Sequence, residues 1–208
     1  MVNLRRILNK DKITLNCNYG AKRYSITIDK IKSPYAGLMP TMMSLDFLPY
    51  YSTIDDPAII DASEQLASQL KGRDDRIKAA VVLAMVQQNI KYKYDEEIYG
   101  CLDVWGLPVT VADLGVGDCD CMSNLYVSLA HNLGLDVISV IVSRHMFPAV
   151  CFDGGHGRSY EFDGKTYFHM EATDEVPVAG RYWDIQSVEA ADYPKIPTEQ
   201  FKEYLAEM

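Results

Sequence analysis

Residues 115–121, Gly115-Val116-Gly117-Asp118-Cys119-Asp120-Cys121, lead into an apolar-periodic run at 122–133 and decide how the rest of the chain is interpreted. The apolar positions of that run recur at three- and four-residue steps, with Asp118 as N-cap and Gly134 as the stop, so they predict a helix. Cys119 then lies in the first turn, where unpaired backbone N–H groups and the helix dipole favour a thiolate and can hold an oxyanion. A cysteine at such a position is a candidate nucleophile.

Helical patterns dominate the part of the chain that precedes the cysteine. One helix is predicted to begin at Pro57 after an aspartate N-cap, with Ile60 and Ala67 among its buried residues. A second is predicted at 75–91, with one buried stripe. The segment 92–117 has no regular pattern and is predicted to be an irregular approach to the cysteine.

Strand patterns occur at the N-terminus and after the cysteine helix. Two runs around Tyr19-Gly20 predict a hairpin at 12–18 and 23–29. Four antiparallel strands are predicted after the helix, because the runs are β-branched or alternate and the last two are joined by Asp163-Gly164. The predicted fold class is therefore α+β, with helices packed on an antiparallel sheet. The four strands are expected at 137–143, 146–152, 158–162 and 166–172.

The chain length of 208 residues suits a single globular domain. Within it, residues 1–56 are predicted to form the hairpin and a proline-rich segment that wraps the surface of the core. Residues 57–208 are predicted to form the domain that carries the cysteine. No internal boundary that would separate two independent domains is expected.

Composition and charge narrow the range of partners. The chain has 20 basic and 29 acidic residues and a net charge of -9, which repels nucleic-acid backbones and anionic lipid. No apolar run is long enough to span a bilayer, and the N-terminus is too polar for a signal peptide, so a cytoplasmic protein without membrane contact is expected. Five cysteines without paired spacing indicate reduced thiols. The sequence leaves the oligomeric state open.

Four histidines are candidates for the base that would serve the cysteine. His131 is twelve residues along the same helix, about 18 Å from Cys119 at 1.5 Å per residue, and is excluded. His145 follows the first strand after the helix, at the rim of a strand pair, and is favoured. His156 lies in a glycine-rich loop, and His169 shares a strand face with Glu171; both remain alternatives.

The order of these features resembles the transglutaminase-like superfamily of cysteine peptidases and transferases. The resemblance spans residues 75–183 and combines a cysteine box on a helix, a glycine after the helix, a histidine between strands and a Tyr-x-x-x-Glu-x-Thr pattern. The matching residues are Trp105, Pro108, Thr110, Gly115, Gly117, Asp118, Cys119, Gly134, His145, Tyr167, Glu171 and Thr173.

The resemblance implies a papain-like catalytic triad of cysteine, histidine and acid. Cys119 would attack a carbonyl carbon, His145 would act as base and then acid, and Glu171 would orient the imidazole. The family more often has Asp at the acid position, and Asp174 is the alternative there. Trp105 would offer its indole N–H near the oxyanion, or would pack on the cysteine loop.

The implied activity is hydrolysis of peptide, isopeptide or carboxamide bonds through a thioester acyl-enzyme, on a peptide or protein substrate. A protein-glutamine transferase or deamidase would use the same triad. A binding module that keeps the fold without turnover is the third alternative. None of the three requires a cofactor.

The other cysteines are interpreted as packed side chains. Cys17, Cys101 and Cys151 are expected to be buried hydrophobic residues, and Cys121 is expected to pack in the first helical turn or to act as a redox partner. Cys119 and Cys121 are spaced too closely for a structural zinc site, which separates paired cysteines by two to four residues. No bound metal is therefore predicted.

Overall fold

The computed structural model describes residues 11–40, 48–100, 104–142, 145–174 and 188–190, and it is an α+β structure. No helix within these ranges is long and apolar enough to cross a membrane. The helices are α1 (Leu48–Tyr51), α2 (Pro57–Gln69), α3 (Asp75–Asn89), α4 (Asp95–Tyr99), α5 (Pro108–Leu114) and α6 (Cys119–Asn132). The strands are β1 (Lys12–Tyr19), β2 (Lys22–Asp29), β3 (Lys91–Tyr92), β4 (Val116–Gly117), β5 (Asp136–Val142), β6 (His145–Cys151), β7 (Ser159–Phe162), β8 (Lys165–His169) and β9 (Val188–Ala190).

The helix ends follow from their capping residues. The Asp118 carboxylate accepts a hydrogen bond from the backbone N–H of Cys121, which starts α6, and Gly134 adopts a φ of 78° just beyond its end. The Asp56 carboxylate accepts from the N–H of Ala58 at 2.9 Å and starts α2 at Pro57. These two predicted helix starts are confirmed.

The main sheet has five strands in the order β7-β8-β6-β5-β9, and every described pairing in it is antiparallel. The predicted strands after the cysteine helix are confirmed as β5 to β8, with ends that differ by at most three residues. β9 has no counterpart among the predicted strands. Helix α6 packs on β5 and β6, so the prediction that the sheet covers the cysteine helix is also confirmed.

The predicted N-terminal hairpin is present and lies against α2 and α3. Helix side chains hydrogen-bond the outer backbone edge of each strand. The Asn89 side chain accepts from the N–H of Asn16 at 3.1 Å and donates to its carbonyl at 2.8 Å. Gln65 makes the equivalent pair with Thr27, at 2.9 Å each. These amides satisfy backbone groups that an uncovered hairpin would leave to water.

Three sequence predictions about the helical region are wrong. The segment 92–117 is not irregular, because it contains α4, α5 and the short strand β4. Helix α3 is buried on every side from residue 79 to 86 and not along one stripe, since it lies in the centre of the core. In α2, Ile60 is only half-buried and Ala67 is exposed, because the helix turns Ile59 and Ala62 to the core instead.

Candidate active site

Cys119 is held at the start of α6 by a short parallel strand pair. Tyr92 of β3 lies opposite Gly117 of β4, and the N–H of Lys93 donates to the Gly117 carbonyl at 3.0 Å. A side chain at Gly117 would not fit, because its Cβ would lie 2.7 Å from the Cβ of Cys121. The glycine therefore lets the strand turn directly into the helix, with the Cys119 side chain half-buried.

The backbone of Met146 links the cysteine helix to the strand that carries His145. The Ser123 hydroxyl, one turn beyond Cys119, donates to the Met146 carbonyl at 3.1 Å in a buried environment. The backbone N–H of Met146 faces the Cys119 sulfur closely enough to lower the pKa of that thiol. His145 directly precedes Met146 as the first residue of β6, so the residue that carries the predicted base is next in the chain to the one that contacts the cysteine helix.

The structure brings His145 and Glu171 into direct contact. The Nε2 atom of His145 is 3.0 Å from one carboxylate oxygen of Glu171 and 3.2 Å from the other. Ala149 pairs with His169, so alternation places His145 and Phe147 on the same sheet face as His169 and the Glu171 that follows it. Glu171 is 2% exposed, whereas the His145 side chain is 22% exposed and reaches solvent.

The Glu171 carboxylate is buried but well supplied with donors. Oε1 accepts from the hydroxyl of Thr173 at 2.6 Å and from its backbone N–H at 3.2 Å, and Oε2 is 3.1 Å from Nε2 of His169. Burial by itself raises the pKa of Glu171, but the hydrogen bonds from His145 and His169 outweigh it and hold the pKa well below its usual range. The acid is therefore ionised at neutral pH, and Nε2 of His145 must carry the proton that bonds it.

The alternative bases predicted from the sequence have less suitable positions. His169 is fully buried, and both of its ring nitrogens already have partners, Glu171 at Nε2 and the Tyr160 hydroxyl at Nδ1, 3.1 Å away. It has no nitrogen left for a thiol. His156 is exposed in the loop after β6, and His131 is exposed at the far end of α6. Considering only partners in the described ranges, His145 is the imidazole that keeps one nitrogen, Nδ1, for a thiol.

The environment of Cys119 keeps the thiol protonated. Burial raises the pKa of Cys119 to about 12, and the charges of Asp118 and Asp120 add to that effect. The N–H groups of Met146 and Asp120 act in the opposite direction but do not outweigh it. The expectation that the helix N-terminus favours a thiolate is therefore wrong for the resting protein, because desolvation and two carboxylates oppose it.

Within the part of the chain that the structure describes, the cysteine–histidine contact of the predicted triad is not formed. Among the described residues no hydrogen bond joins the Cys119 sulfur to the His145 imidazole. The two side chains are linked through the backbone of Met146. Catalytic hydrogen bonds are commonly long without substrate and shorten in the complex, so this arrangement is compatible with a resting site.

The remaining predicted site residues, Asp118, Asp174 and Trp105, make helix-capping, backbone and packing contacts. Asp118 is the N-cap of α6. Asp174 lies after the acid, where its N–H contacts the Glu171 carbonyl at 3.4 Å, while His145 bonds Glu171 itself. The Trp105 ring is buried, with its centroid 5.1 Å from that of Tyr51. This contact is with α1, so both predicted positions of Trp105, near the oxyanion and on the cysteine loop, stay predictions.

The remaining cysteines divide into three cases. Cys17 is buried as predicted, and burial raises its pKa to about 11. Cys121 is also buried, with its sulfur 3.3 Å from the N–H of Gly106, so the predicted packing is what the structure shows. Cys151 is only half-buried, because it ends β6. Cys101 lies outside the described residues.

A buried acidic cluster lies beneath the cysteine. Ligand atoms of Asp95, Asp118 and Cys121 lie within 4.8 Å of one another, so these three side chains could hold a metal ion. Burial and the neighbouring Asp118 carboxyl raise the pKa of Asp120 well above its usual range. Two of the three side chains already accept hydrogen bonds from the backbone. Asp118 accepts from the N–H of Cys121 as the helix cap, and Asp95 accepts from the N–H of Val104 at 2.5 Å.

Sequence reasoning did not assign roles to three residues that define this site. The pKa of Tyr92 is raised by burial and, next, by the charge that Cys119 would carry when ionised. Tyr92 lies opposite Gly117 in a strand pair that is too short to predict. Ser123 belongs to no motif in the sequence, and its partner Met146 lies on a different element. Tyr160 was visible only as a strand residue, because its partner His169 is identified by the β7–β8 register.

Comparison with protein-family models gives no match, and comparison with curated proteins gives none either. The site therefore has to be interpreted from its own geometry.

Proposed function

We propose that this protein is a cysteine-dependent hydrolase of peptide, isopeptide or carboxamide bonds. The observation that carries the proposal is the pairing of His145 with an ionised, buried Glu171 at the point where the Met146 backbone contacts Cys119. An imidazole oriented by a carboxylate, beside a cysteine at a helix N-terminus, is the arrangement that acyl transfer to sulfur requires. We also propose that the α+β architecture is transglutaminase-like, with 57–208 as its catalytic part.

The chemistry proceeds in two steps in this proposal. The Cys119 sulfur attacks the carbonyl carbon while Nδ1 of His145 takes the thiol proton, and the resulting imidazolium is stabilised by Glu171. That proton then leaves with the amine as the C–N bond breaks, which forms a thioester. Water, deprotonated by the same nitrogen, attacks the thioester and releases the acid and the free thiol.

The protonated resting thiol decides how the first step takes place. Since the pKa of Cys119 is raised to about 12, a stable thiolate–imidazolium pair is not the resting state. Proton transfer to His145 must then accompany the attack, as general-base catalysis. The N–H groups at the start of α6 are oriented to stabilise the oxyanion that forms on the substrate, a contribution of about 3 kcal/mol per donor in hydrolases.

The experiment uses p-nitrophenyl acetate as an acyl donor and intact-protein and peptide mass spectrometry as the readout. We expect an acetyl group on Cys119 and release of p-nitrophenolate, both lost in Cys119→Ser and strongly slowed in His145→Gln. Cys151 is the internal reference, because it is half-buried and lacks an imidazole partner within the described part of the chain. Equal acetylation of the two cysteines, or a rate unaffected by His145→Gln, would show that no acyl-transfer site exists.

One observation favours a second candidate, a binding module without turnover. The same burial and carboxylates that keep the thiol protonated would also make Cys119 inert. The acetylation experiment separates the two candidates, since an inert Cys119 would react more slowly than Cys151. A peptide or protein substrate, a cytoplasmic location and the absence of a cofactor remain parts of the proposal.

A further inference from the structure

The acid of the proposed triad is shared by two imidazoles. Oxygen Oε2 of Glu171 is 3.0 Å from Nε2 of His145 and 3.1 Å from Nε2 of His169. The His145 side chain is partly exposed, whereas that of His169 is fully buried. A triad needs one imidazole, so the second has a separate role to be explained.

The hydrogen bonds of His169 define its tautomer. An ionised carboxylate offers only acceptors, so the His169 Nε2 atom that contacts Glu171 must carry a proton. Its Nδ1 atom is 3.1 Å from the Tyr160 hydroxyl, which can donate to it. A neutral ring protonated at Nε2 satisfies both contacts, with each donor facing an acceptor.

A protonated His169 would satisfy them less well. Its Nδ1 would then donate to the Tyr160 oxygen, and the Tyr160 proton would need another acceptor. The extra positive charge would be fully buried, and the guanidinium of Arg158 already lies 5.6 Å from the centre of the Tyr160 ring. Glu171 would pair with that charge, but its carboxylate is already shared with His145, and a buried charge is costly unless it is fully paired.

Packing fixes the plane of this ring. His169 stacks on Phe147, with ring centroids 3.9 Å apart and 23° between the planes. Phe147 also lies 5.9 Å from the His145 ring, so one phenyl group contacts both imidazoles. The ring of His169 therefore presents its Nε2–H to Oε2 in a single direction.

We propose that His169 is a positioning residue, a neutral Nε2–H imidazole fixed by Tyr160 that holds the Glu171 carboxylate against His145. The proposal rests on the proposed function, because it assigns His169 a role in supporting the acid of that triad. His169 does not touch the reacting atoms. It acts by fixing the carboxylate that orients the base. Its imidazole contacts Oε2 of Glu171, whereas the backbone N–H and hydroxyl of Thr173 donate to Oε1.

The first test is independent of activity. Nitrogen-15 NMR of histidine-labelled protein at neutral pH is expected to show His169 as the neutral Nε2–H tautomer. Tyr160→Phe is expected to convert it to a mixture of tautomers, and the control Tyr167→Phe, whose hydroxyl donates to Asp136 at 2.9 Å, to leave it unchanged. A protonated or Nδ1–H ring in the unmodified protein overturns the proposal.

The second test measures how His169 affects its neighbour. His169→Phe keeps the ring stack but removes the donor, and we expect a changed His145 spectrum and about tenfold slower acetylation of Cys119 by p-nitrophenyl acetate. His169→Gln returns an N–H donor and is expected to recover most of the rate. Unchanged His145 signals and rate in His169→Phe, or no recovery in His169→Gln, would overturn the positioning role.

The two tests also separate this proposal from the proposed function. If Cys119 of the unmodified protein is not acetylated, the hydrolase proposal fails, while the NMR of His145 in His169→Phe still decides whether His169 positions the acid. If His169→Phe does not fold, Tyr160→Phe is used instead, because the Tyr160 side chain is only half-buried. The His169 tautomer and the His145 spectrum of that variant then decide whether His169 positions the acid.

Discussion

Two acidic groups of the candidate site are removed from water, and the structure changes their pKa values in opposite directions. Burial raises the pKa of both the Glu171 carboxyl and the Cys119 thiol. Glu171 is nevertheless ionised, because two imidazoles and Thr173 bond its oxygens. Cys119 remains protonated, because two N–H groups are outweighed by burial and two nearby carboxylates. Burial opposes the charge on both groups, and the donors around Glu171 overcome it whereas those around Cys119 do not.

The difference has a direct consequence for mechanism. A permanently ionised Glu171 keeps the Nε2 proton of His145 in place and leaves Nδ1 as the basic nitrogen. A protonated Cys119 then depends on that nitrogen for activation. The carboxylate region is thus ready before substrate arrives, whereas the thiol region is activated only during attack.

The largest expected effect comes from removing the base between the two regions. In His145→Gln the amide can still donate to Glu171, but no group can take the thiol proton. We expect acetylation of Cys119 at pH 7 to fall by about 100-fold or more, the usual contribution of a general base. The rate is followed by p-nitrophenolate release and the site by peptide mapping.

The control for this variant is Cys151, whose acetylation should not change. A small loss that disappears when the pH is raised slightly would contradict the comparison, because it would mean that the thiol ionises without help. The dependence on His145 should instead persist until the pH approaches the raised pKa of Cys119, about 12.

The next effect concerns the free energy of unfolding. Glu171→Gln leaves a neutral amide where two imidazoles and Thr173 have been donating to a charge, and we expect a loss of about 3 kcal/mol at pH 7 in urea unfolding. The control Glu161→Gln changes an exposed carboxylate on β7 and should cost no more than about 0.5 kcal/mol.

The pH dependence of that loss follows from the lowered pKa of Glu171. A carboxyl whose folded pKa lies below its unfolded value of about 4.3 stabilises the fold fully above that value and loses the contribution as the pH falls through the folded pKa. The difference between wild type and Glu171→Gln should therefore shrink below about pH 4.3. A difference that stays constant from pH 7 to pH 3 would mean that the charge of Glu171 does not stabilise the fold.

The sequence predicted the parts of this site that depend on local patterns. Asp118 was recognisable as a cap and Cys119 as a first-turn residue, because capping and helical periodicity act within a few positions of the chain. His145 was identified as a strand-end residue and Glu171 through the resemblance to the transglutaminase-like superfamily. The structure shows that these last two are in contact.

What the sequence did not predict depends on register and burial. The contact of Tyr160 with His169 requires the β7–β8 pairing, and the bond from Ser123 to Met146 requires a helix docked on a strand. The raised pKa of Cys119 could not be predicted from its position in the helix either. It results first from burial around the half-buried sulfur, which only the packed structure determines, and then from the charges of Asp118 and Asp120.

A smaller effect is expected from changing the charge beside the thiol. Asp118→Asn keeps a residue that caps helices equally well but removes the larger of the two opposing charge effects on the thiol. We expect the pKa of Cys119 to fall, and alkylation by iodoacetamide at pH 8 to rise by about tenfold, which corresponds to one pKa unit.

Asp136→Asn is the matched control for that variant. The Asp136 carboxylate raises the pKa of Cys151 after burial does, so its removal should make Cys151 more reactive and leave Cys119 unchanged. Equal acceleration of Cys119 by both variants would indicate a general effect of net charge. The proposed local effect of Asp118 would then be wrong.

The smallest expected effect concerns the hydrogen bond that joins the two regions. Ser123→Ala removes the donor to the Met146 carbonyl, 3.1 Å away and buried, so an acceptor is left without its partner. We expect a loss of about 1 kcal/mol in the free energy of unfolding, measured with urea. Ser68→Ala is the control, because that hydroxyl donates within α2 at an exposed position and should cost less.

The same variant should also slow acetylation of Cys119, because Met146 supplies the N–H that faces the sulfur and directly follows the base. The rate should fall more than the stability alone requires, since the folded population stays close to complete after a loss of about 1 kcal/mol. If Ser123→Ala unfolds more easily but reacts at the wild-type rate, the helix-to-strand bond supports the fold without setting the approach of Cys119 to His145.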